Sequence, residues 1–294
     1  MAANNLPAGD LRAGESDRDA VIRKLSLEVA AGDVRLPSLP DIAIRVQKVL
    51  EDPRAPRTRV TQVIGADAAL AARIIRLANS AFLNPSTARI FDLQQSLTRL
   101  GTQLVRCTAM SFSLQQMEFG SGQAKLRPHI RELWRMGALV ASIAYVLARE
   151  TRAANPDEGL MTGLMHNIGN LYITVNTPRA ADGAADSEAW EALMREWHPR
   201  IAGSILKHWK FPQPIVAAVV DQNSDNSAMG GAGLTDVLIA SIALGSRVFR
   251  SEPIDDAATT GPCFQRLRLG ADDCKQMLAS AALQIKALRA ALTS

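Results

Sequence analysis

Four histidines, His129, His166, His198 and His208, are the side chains of this sequence best suited to metal or acid–base chemistry. Imidazole mixed with carboxylate is the ligand set of a divalent-metal phosphohydrolase. The ion there lowers the pKa of a bound water and polarises a phosphoryl oxygen. Such a site needs several His, Asp and Glu ligands converging on one or two ions. The candidates here are few: His166 in GLMHNIGNL, His198 and His208 ten residues apart in EWHPRIAGSILKHWKFP, and His129 ahead of a long apolar stretch. Their spacing specifies no site, and each of them reads first as a packed or surface residue. Ser, His and Asp occur, but no GxSxG elbow supports a hydrolase triad. Neither a GxxxxGKS/T nor a GxGxxG loop is present to cradle a nucleotide. Arg73, Arg76, Arg99 and Arg106 recur near helical spacing and read as a solvated face. The functional alternative is a surface for a partner or a phosphate.

The elements that must position these groups are helical. The chain has 294 residues, 47% of them apolar and only 4% aromatic, with alanine and leucine abundant. Those two residues favour helix and close helix packing. Alternating strand patterns bounded by Asn-Gly or Asp-Gly are missing. A net charge of +4, without a dense Lys/Arg run or interleaved aromatics, is a weak footprint for nucleic acid. Cys107, Cys263 and Cys274 are far apart and odd in number, which fits a reducing compartment. The first nineteen residues lack the apolar core of a signal peptide. The longest apolar run, 137–148, falls short of the roughly 20 residues that span a bilayer. A soluble, cytoplasmic protein is expected.

Along the chain, 1–18 is polar and reads as a disordered tail, followed by a short helix with Val21, Ile22, Leu25 and Val29 on one side. A helix opens at Pro40-Asp41 and stops at Asp52-Pro53. Thr58 is expected to cap a helix through Ile64, and Asp67 the next, which ends in LANSAF. There Asn79 and Ser80 would satisfy backbone groups. Leu93, Leu97, Leu100 and Leu104 mark one buried face over 93–117, with Gly101 a break point. The loop 118–123 divides two halves. A strong helix over 126–150 buries the face carrying Ile130, Gly137, Val140, Ala144 and Leu147. Asn155-Pro156-Asp157 restarts the chain into one mostly apolar helix ending near Gly169, its Met161–Met165 stretch in the core. Helices over 187–209, from Phe211-Pro212 to Asp221, near 234–250 and near 271–292 complete the chain, with a loop over 223–233.

Taken in order, LPSLPDIAIRVQKVLEDP, VTQVIGADAALAARIIRLANSAF and LQQSLTRLGTQLVRCTAMSFSL resemble the N-terminal half of the HDOD domain. ELWRMGALVASIAYVLA, GLMTGLMHNIGNLYI and WHPRIAGSILKHWKFPQPIVAAVVDQN resemble its HD-related half. The resemblance covers about residues 36–223. It implies an all-α fold of two packed helical subdomains, the second HD-like, with a C-terminal helical extension. The expected divisions are a tail over 1–18, an N-terminal subdomain over 19–120, an HD-like subdomain over 121–225 and the extension over 226–294.

The same resemblance implies where chemistry has been replaced. Met136 stands where metal-binding relatives have histidine, and a thioether is a poor ligand for a hard ion. The His-Asp doublet is His166-Asn167, the following Lys or Arg is Asn170, and the later His-His pair is Gln222-Asn223. Met136, His166, Asn167, His198 and Gln222 would then form a remnant pocket, with no metal and no cofactor expected. The function implied is a non-catalytic bacterial signalling output or adaptor module. Its partners would be signalling proteins, including enzymes that make or degrade cyclic dinucleotides. Binding would use Arg73, Arg76, Arg99 and Arg106 or the junction near 118–130. The rival readings are a residual metal-dependent phosphodiesterase or phosphohydrolase and a cyclic-dinucleotide sensor without turnover.

Overall fold

The structure, a computed structural model, describes residues 41–52, 54–80, 83–84, 88–116, 127–176, 188–224 and 231–293, together with Leu27. The expected tail, most of the helix over 21–29, the LPSLP opening and the 118–123 loop lie outside the described residues. All regular structure among the described residues is helical. No described helix is long and apolar enough to cross a membrane.

The N-terminal half packs α1 (Asp41–Glu51), α2 (Arg57–Gly65), α3 (Ala68–Ala78) and α4 (Leu93–Gln116) against one another. Ala43, Val46 and Val49 form the buried stripe of α1. Helix α2 begins just after Pro56, so Thr58 lies inside its first turn and is not its cap. Asp67 does cap α3, accepting from the amides of Ala69 and Leu70. That is worth about 1 kcal/mol. At Gly101 the chain takes φ 72° and ψ 167°, a conformation open to glycine, and α4 breaks there into two pieces.

The second half is built around α5 (Arg127–Thr151). The sequence pattern predicts one buried face. Instead every residue from Gly137 to Ala148 except Tyr145 is buried, because α6 (Pro156–Met165), α10 (Leu234–Arg250) and α13 (Ala282–Thr293) surround it. Glycines set these approaches. A Cβ on Gly163 would lie 2.5 Å from the Ala141 Cα, and one on Gly159 2.8 Å from the Ala144 carbonyl oxygen. Asn155 caps α6 through the Asp157 amide, with Pro156 in the first turn.

Helices α7 (Ile168–Asn176), α8 (Glu188–His208) and α9 (Gln213–Val220) follow. The expected single helix through 159–169 is therefore two helices, with the break at His166-Asn167. Beyond α10 come a short 3-10 turn (Asp256–Thr259), α11 (Pro262–Leu267), α12 (Ala271–Ser280) and α13. The turn and α11 lacked a periodic signal because they are too short to carry one. The C-terminal helices are integral to the bundle. Val237, Leu244, Cys263, Phe264 and Cys274 share a core with Leu139, Ile143 and Leu147. The Leu292 carbonyl accepts from Ser111 Oγ at 2.8 Å and Gln115 Nε2 at 2.7 Å, which ties α13 to α4. All three cysteines are buried and free.

Because backbone atoms face Gly163, the contact cannot yield by a side-chain rotation. Gly163→Ala is expected to destabilise the protein by about 1–3 kcal/mol, in spite of alanine's better helix propensity. Gly231→Ala, with open space around it, should change stability by less than about 0.5 kcal/mol. Urea unfolding of the two variants measures the contrast.

Candidate functional site

The break between α6 and α7 leaves the last carbonyls of α6 without helical partners. His166 supplies one, its Nδ1 donating to the Gly163 carbonyl at 2.6 Å. A carbonyl only accepts, so Nδ1 carries the proton and the Nε2 lone pair is left over. The carbonyl of His166 accepts from Gln222 Nε2 at 3.2 Å, and the same amide donates to Val219 at 2.7 Å. Gln222, just past the end of α9, is thereby turned inward and buried, while its neighbour Asp221 is exposed.

A second orphan carbonyl comes from Pro199, inside α8. Proline has no N–H to give the carbonyl four residues back. The Arg195 carbonyl takes Asn223 Nδ2 instead, at 2.7 Å. This brings Asn223 over α8, where Nδ2 also lies 3.5 Å from His198 Nε2, at the outer limit of a hydrogen bond. His198 Nδ1 is buried without a protein partner. Gly169, in the first turn of α7, presses on this stretch of α8: a Cβ there would run into the His198 carbonyl.

Of the five pocket residues, His166 and Gln222 are joined by a hydrogen bond, and His198 lies close enough to feel the charge of His166. Asn167 Oδ1 accepts from Asn170 Nδ2 at 2.9 Å, within its own turn. Met136 is half-buried against the main core. Its neighbour Gly137 faces the Leu164 carbonyl, two residues before His166. His129 and His208 are exposed. Among the described residues no three of His, Cys, Asp and Glu are grouped so as to hold a metal ion.

Both histidines are held neutral. His166 is 3% exposed and His198 8%. Burial pushes His166 down to about 4, partly offset by its bond to Gly163. Burial, then the charge of His166, pushes His198 down to about 3.

The four arginines do not share one surface. Arg76 and Arg99 are exposed, and Arg99 donates to the Leu83 carbonyl. Arg106 is half-buried. Arg73 is 1% exposed and must be removed from any partner surface. It lies over the Phe112 ring at 5.6 Å and donates to Gln115 Oε1 at 2.9 Å, while Nε and Nη1 have no protein partner. Burial, with some repulsion from Arg76, lowers it to about 10. A 3–4 repeat cannot tell an outward arginine from one laid along a helix interface. In LANSAF, Asn79 donates to the carbonyls of Ile75 and Ile90 and accepts from the Ile90 amide, clamping the loop that leads into α4.

Two imidazoles thus stand in an all-helical bundle where α6, α7, α8 and α9 meet. The HDOD domain profile matches residues 36–224, and the chain belongs to the HDOD domain family. It is similar to the crystal structure of a candidate metal-dependent phosphohydrolase from Shewanella amazonensis SB2B. That match has a TM-score of 0.74 and 23% identity, covering 94% of this chain and 99% of that one. An HDOD domain protein of unknown function from Geobacter sulfurreducens matches with a TM-score of 0.63 and 20% identity, over 92% and 96% of the two chains. At these identities the likeness is one of fold. A curated Treponema pallidum (strain Nichols) protein, itself uncharacterized, is 21% identical over 210 residues. The match takes in 67% of this chain and spans only 39% of that relative's length.

The depressed histidines make stability pH-dependent. In the unfolded chain they titrate near 6.5, so below that pH the unfolded state binds more protons than the folded one. Stability should be flat above pH 6.5 and fall as pH drops toward about 4. The loss from His166 alone is on the order of 3 kcal/mol at the lower end. Denaturant titrations between pH 7 and 5, above the carboxylate range, should show this slope and its reduction in a His166→Gln, His198→Gln variant. Convergence of the five positions has its own measurement. Met136→His, Asn167→Asp and Gln222→His combined should raise Mn(II) affinity well above wild type by calorimetry, and no gain in a folded variant counts against convergence.

Proposed function

We propose that this chain is a non-catalytic output or adaptor module of bacterial signal transduction, cytoplasmic, acting through a protein-binding surface. The observation that carries the reading is how the pocket spends its polar groups. His166, Gln222 and Asn223 are all engaged in satisfying carbonyls at helix ends and at Pro199. The amide of Asn223 presents an N–H, not a lone pair, toward His198. A hard catalytic ion wants anionic oxygen ligands beside its imidazoles, and here amides and a thioether stand in their places. The donor set does not fit such an ion.

Charge distribution supports the surface part of the reading. Residues 41–107 hold ten Lys and Arg against five Asp and Glu. Among the described residues none of those ten makes an ion pair, whereas Arg149, Arg200, Arg247, Arg250, Arg266 and Lys275 do. Arg76 and Arg99 are exposed, Arg99 also donating to the Leu83 carbonyl. Phe91, beside the Asn79 clamp, is 79% exposed. Exposed arginine and exposed aromatic side chains both suit protein recognition. The partners proposed are signalling proteins, including enzymes that make or degrade cyclic dinucleotides.

The test compares variants in the native cell. His166→Ala with His198→Ala, if folded, should leave partner recovery and phenotype intact. Arg76→Glu or Arg99→Glu should weaken recovery of at least one partner severalfold. Purified protein should carry little Mn, Fe or Zn and should not hydrolyse cyclic di-guanylate. Stoichiometric metal, with turnover lost in His166→Ala, would establish the phosphohydrolase reading instead.

A further inference from the structure

The α6 helix has a second polar end. Asp157 and Glu158 stand in its first turn and His166 just past its last, nine residues away, or roughly 14 Å along the axis. At the Asp157 end a cleft of about 250 Å³ opens between α1, α4, α6 and the turn joining α8 to α9. It lies where the two halves of the chain meet, and no residue of the histidine pocket lines it.

We propose that this cleft binds a small zwitterion: an α-amino acid with an apolar side chain. Its walls carry both signs of charge. Arg106 comes from α4 and Lys210 from the α8–α9 turn, facing Asp157, Glu158 and the more exposed Glu51. Among the described residues none of Arg106, Lys210, Asp157 and Glu158 forms an ion pair. The Nε of Arg106 is buried and has no hydrogen-bond partner within the protein. An unpaired buried guanidinium N–H is costly unless something accepts from it. Burial likewise raises the Asp157 carboxyl. A carboxylate set against Arg106 and an ammonium against Asp157 would satisfy both.

Size and charge select the ligand class. The volume lies below the roughly 300 Å³ at which drug-sized pockets begin, too small for a dinucleotide. Three carboxylates against two cations leave the lining net negative, which opposes phosphates and other net anions. Buried Met110, Met161 and Ile215 supply an apolar floor for a side chain. The walls are held in place independently of any ligand: Gln47 Nε2 donates to the Trp209 carbonyl and to Glu51.

The experiment is calorimetric titration of the full chain with the common α-amino acids one at a time, L-leucine and L-methionine first. Saturable binding of an apolar amino acid is expected. Leucinamide and 4-methylpentanoate, which lack the carboxylate and the ammonium respectively, should bind at least tenfold more weakly. Arg106→Gln and Asp157→Asn should each cost at least tenfold. Should either variant fold poorly, the half-exposed Glu158→Gln and the exposed Lys210→Met provide the same reading. Absence of saturable binding by any amino acid overturns the proposal. So does binding indifferent to all four substitutions, or cyclic di-guanylate binding that Arg106→Gln removes. The proposal does not rest on the adaptor reading, whose arginine variants lie outside the cleft.

Discussion

Backbone contact between α5 and α6 is the constraint on which the rest depends. Gly159 and Gly163 let α6 lie on α5 with no side chain between them. The same helix receives α10 through Gly245, where an added Cβ would meet Val140 Cγ2 at 2.9 Å. A helix approached so closely on several sides can carry only small and apolar residues. That is why 137–148 is nearly all Ala, Val, Leu, Ile, Gly and Ser. Packing of this kind tolerates little adjustment, so it fixes α6, and α9 packs on α6 in turn.

Polar chemistry then collects where those packed helices end. His166 sits at the end of α6, Gln222 and Asn223 just beyond α9, and His198 beside the proline of α8. His166, Gln222 and Asn223 each have a structural task, because helix ends and prolines leave carbonyls that must be satisfied. This couples the pocket to the frame. A group that fills a backbone vacancy is retained for folding even when the pocket performs no chemistry.

The sequence made much of this legible, and its failures are specific. Long apolar repeats located α4 and α5, and Gly101 marked the kink, since glycine in a repeat signals either a break or a close approach. The break at His166-Asn167 was hidden because apolar residues continue across it, and hydropathy has no term for direction. All-round burial of residues 137–148 of α5 was likewise invisible to a one-face pattern. His166 and His198 could be singled out by residue type. Their mutual arrangement depends on Pro199 and Gly169 acting at a distance in the chain. Arg73 shows the sharpest limit: charge suggested exposure, but its interior position comes from packing against Phe112 and Gln115. The cleft residues Glu51, Arg106, Asp157 and Lys210 share no spacing that could group them.

Arg73 also bears on how the molecule breathes. A guanidinium sealed between α3 and α4 with two N–H groups lacking protein partners is better solvated once those helices separate. Every opening of that seam therefore recovers hydration that the closed form forgoes. The α5–α6 contact offers no such return, because glycine and alanine backbones gain little from water beyond what they lose in packing. Local stability is consequently graded across the bundle, and amide hydrogen exchange at α3 would proceed through smaller fluctuations than exchange at α5.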